Sequence, residues 1–201
     1  MTTEKIMFDD REAWLTEASN LILDDLIMNQ CPGFERPSFR ISIGFPKHSR
    51  GGRAIAVCFK KEASSDGVNE IFINPEIDDA VQVLESVAHE LIHAVDNCES
   101  GHRNFFARVA RAIGLDGKFT ATFAGADLKG VLESYSVLLG KFPHQKMQMA
   151  AVHKKDGTRQ LKVECTSCGL IFRASQKWSM LINENESPCP VCLSNGTLRK
   201  G

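Results

Sequence analysis

The segment from His89 to His102 concentrates side chains that could bind and use a metal ion. It reads HELIHAVDNCESGH, with a glutamate directly after the first of three histidines. On a helix, His89 and His93 lie on one face, because residues four apart are neighbours about 5–6 Å apart. Glu90 points in another direction, from which it can reach a water on the metal rather than the metal itself. This HExxH pattern is a signature of zinc metalloproteases.

A catalytic zinc ion needs three protein ligands and one open position for water, so two histidines are not sufficient. His102 is the expected third ligand, because Gly101 relaxes the turn after His93 and lets the chain double back. Three carboxylates remain as alternatives: Glu133, Asp96 and Glu99. In the predicted mechanism, zinc polarises the scissile carbonyl and acidifies its water. Glu90 then accepts the water's proton and later passes one to the leaving amine.

The apolar residues around the first two histidines predict a largely buried helix over residues 78–95. Two histidines and a glutamate would cost free energy there without a partner, and a metal ion supplies one. Tyr135, the only tyrosine, could stabilise an oxyanion, but simple packing is the favoured interpretation. The other histidines have no ligand spacing and are expected at the surface: His48, His144 and His153.

A second cluster of ligands lies near the end of the sequence. Cys165 and Cys168 form one CxxC pair, and Cys189 and Cys192 form another. This spacing is typical of a structural zinc site, because four thiolates leave no open position; a redox role is the alternative. The sequence therefore predicts two zinc ions, one catalytic and one structural. The other three of the seven cysteines are expected to be reduced, without an evident partner: Cys31, Cys58 and Cys98.

Basic residues are unevenly distributed along the chain. The range 36–61 contains seven lysines or arginines and no acid, and residues 151–201 contain eight basic and four acidic side chains. Such clusters favour a polyanion, although charges protecting an edge strand would give the same pattern. The candidate contacts to nucleic acid are Arg40, Lys47, Arg50, Arg53, Arg173 and Lys177. The aromatic residues Phe172 and Trp178 could stack on bases, but we expect them to form the small core of their own domain.

The predicted elements indicate an α+β fold in two domains, residues 1–145 and 150–201. Apolar residues make up 43% of the chain, which is enough for a packed core and argues against disorder. The helical pattern predicts helices over residues 9–30, 78–95, 102–113 and 127–139. Alternation and turn residues predict strands over Phe39–Phe45, Ala54–Phe59 and Glu70–Ile73. Asp156-Gly157 predicts a hairpin between Met149–Lys154 and Arg159–Glu164.

The order of these features resembles the SprT-like metallopeptidases. The resemblance is carried by HELIHA, by the third histidine in GHRNFF, and by the four cysteines at the end. It implies a zincin-like minimal protease core with a small, mostly antiparallel three-stranded sheet, followed by a zinc-ribbon-like domain. It also implies His89, His93 and His102 as zinc ligands and Glu90 as the catalytic acid–base. The sequence departs from the family at Arg103, where a glycine commonly follows the third histidine.

The leading functional hypothesis is a zinc endopeptidase that cleaves proteins bound or crosslinked to DNA. Its expected partners are single-stranded or damaged DNA and the proteins on it, with a role in DNA repair. No signal peptide or membrane span is evident, so we expect a cytoplasmic protein associated with the nucleoid or DNA and no membrane partner. Two alternatives remain: a non-proteolytic nucleic-acid-binding zinc protein, such as a transcription or replication accessory, and a regulatory protease of one repressor.

Overall fold

The chain has an α+β fold in the residues that the structure, a computed structural model, describes: 8–45, 54–148, 160–182 and 186–200. The predicted fold class is therefore confirmed at this level. Contacts between Cα atoms divide the chain into two compact units, residues 1–148 and 149–201. No helix in the described part of the chain is long and apolar enough to cross a membrane.

The first unit begins with helix α1, Arg11–Ile22, which starts where Asp10 accepts a hydrogen bond from the Ala13 amide at 2.7 Å. The helix continues as a π turn over Leu23–Ile27 and a 3-10 turn over Met28–Gln30. This agrees with the prediction of one helical segment ending near residue 30. Its buried face packs into the main core, where Trp14 contacts Phe142 with ring centroids 4.8 Å apart.

A three-stranded sheet follows, in the order β1-β3-β2. Its strands are β1 Phe39–Ile43, β2 Ala56–Phe59 and β3 Asn69–Ile73. The β2–β3 pair is antiparallel, but β1 and β3 are parallel, so the expectation of a mostly antiparallel sheet is wrong for β1. The chain between Ile43 and Asn69 is long enough for the crossover connection that parallel strands need. Because β3 lies between the other two strands, β2 forms one edge of the sheet.

Two helices lie on either side of the turn that carries His102, and the first of them carries His89 and His93. Helix α2, Ala80–Val95, begins where Asp79 accepts a hydrogen bond from the Gln82 amide, and it is mostly buried. Helix α3, Asn104–Ile113, ends at Gly114, whose φ of 91° lies in the left-handed region that glycine favours. Helix α4, Ala126–Leu139, completes the unit. The predicted helix boundaries agree with these within two residues.

A short hairpin between α3 and α4 was not predicted. Strands β4, Leu115–Lys118, and β5, Ala121–Ala124, pair antiparallel. Their residues are mostly exposed, so they lack the apolar alternation by which a strand is recognised. The Ala124 amide donates to Glu85 Oε1 at 3.2 Å, which attaches the hairpin to α2.

The second unit is a four-stranded antiparallel sheet in the order β7-β6-β9-β8, with one short helix. The elements are β6 Gln160–Cys165, β7 Ile171–Ser175, α5 Gln176–Ser179, β8 Pro188–Cys189 and β9 Leu193–Lys200. Among the described residues of this unit, the buried core consists of Val163, Cys165, Cys189 and Leu198. The predicted turn at Asp156-Gly157, the arm before it and Arg159 lie outside the described residues.

Candidate active site and metal centres

The three histidines of the HELIH segment and the following turn converge on one point. The Nε2 atom of His102 lies 3.2 Å from Nε2 of His89 and 3.3 Å from Nε2 of His93. Tetrahedral zinc, with Zn–N distances of about 2.0–2.1 Å, places its nitrogen ligands about 3.3–3.4 Å apart. The observed separations therefore fit three ligands of one zinc ion.

Hydrogen bonding among the rings does not account for this arrangement. A ring nitrogen offers either one hydrogen or one lone pair, so His102 Nε2 is poorly suited to hydrogen bonds with two other ring nitrogens. Burial, together with the neighbouring histidines, lowers the pKa of His89 to about 4 and that of His93 to about 3. Burial also lowers the pKa of His102. All three rings are consequently neutral near pH 7, the form in which imidazole binds a metal.

The orientation of the rings is fixed by two residues that sequence reasoning missed. The Nδ1 atom of His89 lies 2.7 Å from Oγ1 of Thr122 on β5, which leaves Nε2 free to bind a metal. Phe106 is fully buried and contacts all three rings, stacking on His93 with centroids 4.4 Å apart. Phe106 had a sequence signal, because it belongs to the GHRNFF segment. Thr122 had none, because the hairpin that carries it was not predicted.

Glu90 is buried in the wall of a cleft beside the histidines. Only 6% of its surface is exposed, and this burial raises the pKa of its carboxyl to about 8, while a hydrogen bond from the Cys58 amide acts in the opposite direction. The cleft has a volume of about 620 Å³ and is bordered by β2, α2, the turn before α3 and the residues leading into β5. All three histidines and Glu90 line it. A carboxylate and three potential metal ligands therefore face one solvent-accessible space.

The alternative ligands do not join this cluster. Among the described residues, the group of potential ligands here contains the three histidines and none of the alternatives Glu133, Asp96 and Glu99. Glu133 is exposed on α4. The hydroxyl of Tyr135 donates to Asp25 Oδ2 at 2.9 Å, and Tyr135 is not among the residues that line the cleft.

The expectation of a surface position is wrong for His144. This residue is buried, and its Nε2 lies 3.0 Å from the carbonyl oxygen of Pro75, with which it shares a hydrogen bond. A hydrogen-bonded histidine of this kind is a structural core residue. His48 and His153 lie outside the described residues.

The four patterned cysteines form the second candidate metal centre. Cys165 Sγ lies 3.5 Å from Cys192 Sγ, and Cys168 Sγ lies 3.7 Å from Cys189 Sγ. Zinc with Zn–S distances of about 2.3 Å places its sulfur ligands roughly 3.8 Å apart. Backbone amides of residues 167 and 168 donate to Cys165 Sγ and lower its pKa to about 6, which favours the thiolate. The geometry fits a closed structural zinc site of the zinc-ribbon-like kind.

Cys98 has a close partner, contrary to expectation. Its Sγ lies 3.7 Å from Sγ of Cys58, on the strand β2 that borders the cleft. The hydrogen bond between the two sulfurs raises the pKa of Cys58 and lowers that of Cys98. Neither cysteine belongs to the four-sulfur cluster. Cys31 is buried, and burial raises the pKa of its thiol.

The candidate nucleic-acid contacts differ in whether an acidic side chain already pairs with them. Arg40 donates to Asp66 Oδ2 at 2.6 Å and also pairs with Glu70, so its charge is already balanced. Arg173 on β7 and Lys177 on α5 are exposed. The remaining three candidates lie outside the described residues: Lys47, Arg50 and Arg53.

Trp178 is not a core residue, so the expectation that it packs inside the second unit is wrong. Its side chain is 60% exposed, and Lys177 Nζ lies 5.4 Å from the ring centroid. Phe172 does pack against the small core. Two of the four cysteines, Cys165 and Cys189, are part of the small buried core, which leaves room for few large side chains.

Comparisons of the chain with family models, with curated proteins and with solved structures gave no significant match.

Proposed function

We propose that this chain is a zinc-dependent endopeptidase with a zincin-like core, in which Glu90 is the catalytic acid–base. The observation that carries the proposal is the convergence of three imidazole nitrogens beside a buried glutamate in an open cleft. A purely structural zinc site is closed by four ligands and has no use for an additional carboxylate beside it. The resemblance to the SprT-like metallopeptidases supports the same assignment.

The chain's own residues have separate tasks in this mechanism. His89, His93 and His102 would hold the ion, and Thr122 and Phe106 orient their rings. Zinc bound there supplies Lewis acidity, which lowers the pKa of a coordinated water to about 7. Glu90 accepts a proton from the attacking water and then donates one to the leaving amine. Burial raises the pKa of this carboxyl above its ordinary value, which makes its carboxylate a stronger base for the proton transfer.

Strand β2 supports the assignment of an extended polypeptide as substrate. It is one of the two edge strands of the described sheet, and residues 54–58 form one wall of the cleft. An edge strand offers unpaired backbone groups, with which an extended peptide can form a further strand. A peptide bound in this way would run along the cleft past Glu90 and the histidines.

The second unit supports the association with DNA. Trp178 and Lys177 place an exposed aromatic ring beside a positive charge, and Arg173 adds an exposed charge on the neighbouring strand. This combination is typical of proteins that bind single-stranded nucleic acid, because aromatic rings stack on the bases while basic side chains contact the phosphates. Proteins bound or crosslinked to DNA are therefore the proposed substrates.

The test is cleavage of a DNA-binding protein, with and without single-stranded DNA, by the wild type and by Glu90→Gln. We expect Glu90→Gln to lose about 10²–10⁴-fold in rate, the usual contribution of acid–base catalysis, while its zinc content stays unchanged. Glu133→Gln is the matched control, because that glutamate is exposed on α4 and should leave the rate unchanged. Equal cleavage by the wild type and Glu90→Gln would refute the mechanism.

The exposed Trp178 also favours a second candidate, a nucleic-acid-binding zinc protein without protease activity. That protein would bind DNA equally well in the wild type and Glu90→Gln, and neither would hydrolyse any peptide. A regulatory protease of one repressor would instead cleave a single protein and would not depend on DNA. The same assay, extended to several protein substrates, separates the three.

A further inference from the structure

Cys58 and Cys98 form a pair of thiols on the border of the cleft. Their sulfurs are 3.7 Å apart, and Cys98 Sγ also lies 3.6 Å from the carbonyl oxygen of Cys58. Both residues are half-buried and line the cleft. They belong to neither group of potential metal ligands among the described residues. The proposed peptidase mechanism leaves this pair without a task.

The pair is held together by contacts that join the two segments of chain on which it lies. Asn97 Oδ1 accepts hydrogen bonds from the Lys61 amide at 2.9 Å and from Asn69 Nδ2 at 3.1 Å. Lys60 pairs with Glu99 at 2.6 Å. These contacts attach the turn after α2 to the end of β2 and the start of β3. The two segments of backbone that carry the sulfurs are therefore held close together by contacts that do not involve the cysteines themselves.

The turn that carries Cys98 is also the connection between two of the candidate zinc ligands. The Cys98 amide donates to the carbonyl oxygen of His93 at 2.7 Å, and His102 follows four residues later. Asn97 and Cys98 have φ values of 53° and 59°, in the left-handed region that residues other than glycine rarely adopt. A strained turn of this kind positions His102, and its conformation depends on the contacts that hold it.

We propose that Cys58 and Cys98 are a thiol–disulfide site, oxidised by small disulfides of the glutathione class, and that the bond clamps the turn bearing Cys98 onto β2. One cysteine thiolate attacks the small disulfide and releases one small thiol, giving a mixed disulfide. The other cysteine then attacks the protein sulfur of that mixed disulfide and releases the second small thiol. The two cysteines lose two electrons and two protons, which the two small thiols carry away.

Formation of this bond needs only a local movement. The sulfurs must approach from 3.7 Å to about 2.05 Å, a change within the range of side-chain rotation. The bond closes a loop that contains all of β3 and α2, and closure of a long loop restricts the unfolded chain strongly. Oxidation should therefore stabilise the first unit, independently of whether the cleft hydrolyses peptides.

The test uses the full-length, zinc-loaded chain, incubated with oxidised or reduced glutathione and then alkylated and digested with trypsin. Cys58 and Cys98 fall on separate tryptic peptides, residues 54–60 and 62–103, each with a single cysteine. We expect these peptides to be joined after oxidation, with a mass about 2 Da below their sum because two hydrogens are lost. We expect the unfolding temperature of the oxidised chain to rise by about 5–10 °C, which dithiothreitol should reverse.

Three variants make the outcome specific. Cys58→Ser and Cys98→Ser should lose both the joined peptide and the rise in unfolding temperature. Cys31→Ala should keep both, because this cysteine is buried and isolated from the pair. The proposal would be overturned by glutathione that stays attached to either cysteine at the end of the incubation while no joined peptide forms, by free thiols after oxidation, or by a joined peptide without thermal stabilisation. If a variant fails to fold, the wild type alone decides the question, because its joined peptide and its unfolding temperature can be compared with and without dithiothreitol.

Discussion

The Nδ1 atom of His89 lies 2.7 Å from Oγ1 of Thr122, 33 residues further along the chain. This contact orients the ring and leaves its Nε2 atom facing His102. Replacing Thr122 by valine keeps the shape of the side chain and removes the hydroxyl. We expect Thr122→Val to weaken zinc binding by the histidines about 10–100-fold, the usual effect of losing such a partner. Competition with a chelator of known affinity measures the change.

The control for this substitution is Thr16→Val. Thr16 is exposed on α1, and its hydroxyl donates to a carbonyl oxygen of its own helix. This variant should retain the affinity of the wild type. Equal zinc affinity of Thr122→Val and the wild type would show that the hydroxyl does not position His89.

The two histidines of α2 could be placed from the sequence, whereas Thr122 could not, and the difference is physical. His89 and His93 share a helix, so the helical repeat alone brings them to one face. His102 required one further assumption, that the chain doubles back within a short turn. Thr122 comes from a short, exposed hairpin, whose position depends on its contact with Glu85. A contact between distant segments leaves no periodic signal.

The same reasoning explains the errors in the sheet and in the second unit. Strand propensity predicted three strands, but propensity does not specify direction, so the parallel pairing of β1 was missed. Trp178 was expected inside because large aromatic residues are usually buried. In this small unit the buried core is formed by two of the cysteines together with Val163 and Leu198, and the indole remains outside.

Two glycines should respond to alanine in opposite directions. Gly114 has a φ of 91°, and a Cβ there would lie 3.2 Å from Leu128 Cβ. Gly114→Ala should therefore destabilise the protein by about 1–2 kcal/mol. Gly130, inside α4, has open space around it, so Gly130→Ala should stabilise by up to about 1 kcal/mol. Urea unfolding of both variants and the wild type measures these changes in the free energy of unfolding. Stabilisation by Gly114→Ala would contradict the left-handed C-cap of α3 at Gly114.

Removal of the exposed indole should weaken the binding of single-stranded DNA. Stacking of one base on an aromatic ring contributes about 1–3 kcal/mol, so Trp178→Ala should lower the affinity about 5–150-fold. Met180→Ala is the matched control, because Met180 is equally exposed near Trp178 but offers no ring. Fluorescence anisotropy of a labelled oligonucleotide at fixed salt measures both. Equal losses in the two variants would point to an unspecific change of the surface.

The pairing of Arg40 with Asp66 should make a small, pH-dependent contribution to stability. The hydrogen bond from Arg40 lowers the pKa of Asp66 to about 2, below its usual value of about 3.9. A carboxylate with a lowered pKa stabilises the fold above its unfolded pKa, and this contribution disappears as the pH falls towards 2. The difference in melting temperature between the wild type and Asp66→Asn should therefore shrink between pH 5 and pH 2. A difference that grows on acidification would contradict the pairing.

Metal analysis should separate the two centres, because each depends on its own ligands. We expect two zinc ions in the purified wild type. His102→Ala should lose one, since two histidines alone do not complete the site. The double variant Cys165→Ser, Cys168→Ser should lose the other and should also unfold the second unit, whose buried core is too small to be stable without metal.

Glu133→Ala, which removes the alternative ligand on α4, should keep both ions. Two ions in His102→Ala would exclude His102 as a required ligand, and with it the three-histidine site on which the proposed hydrolysis depends.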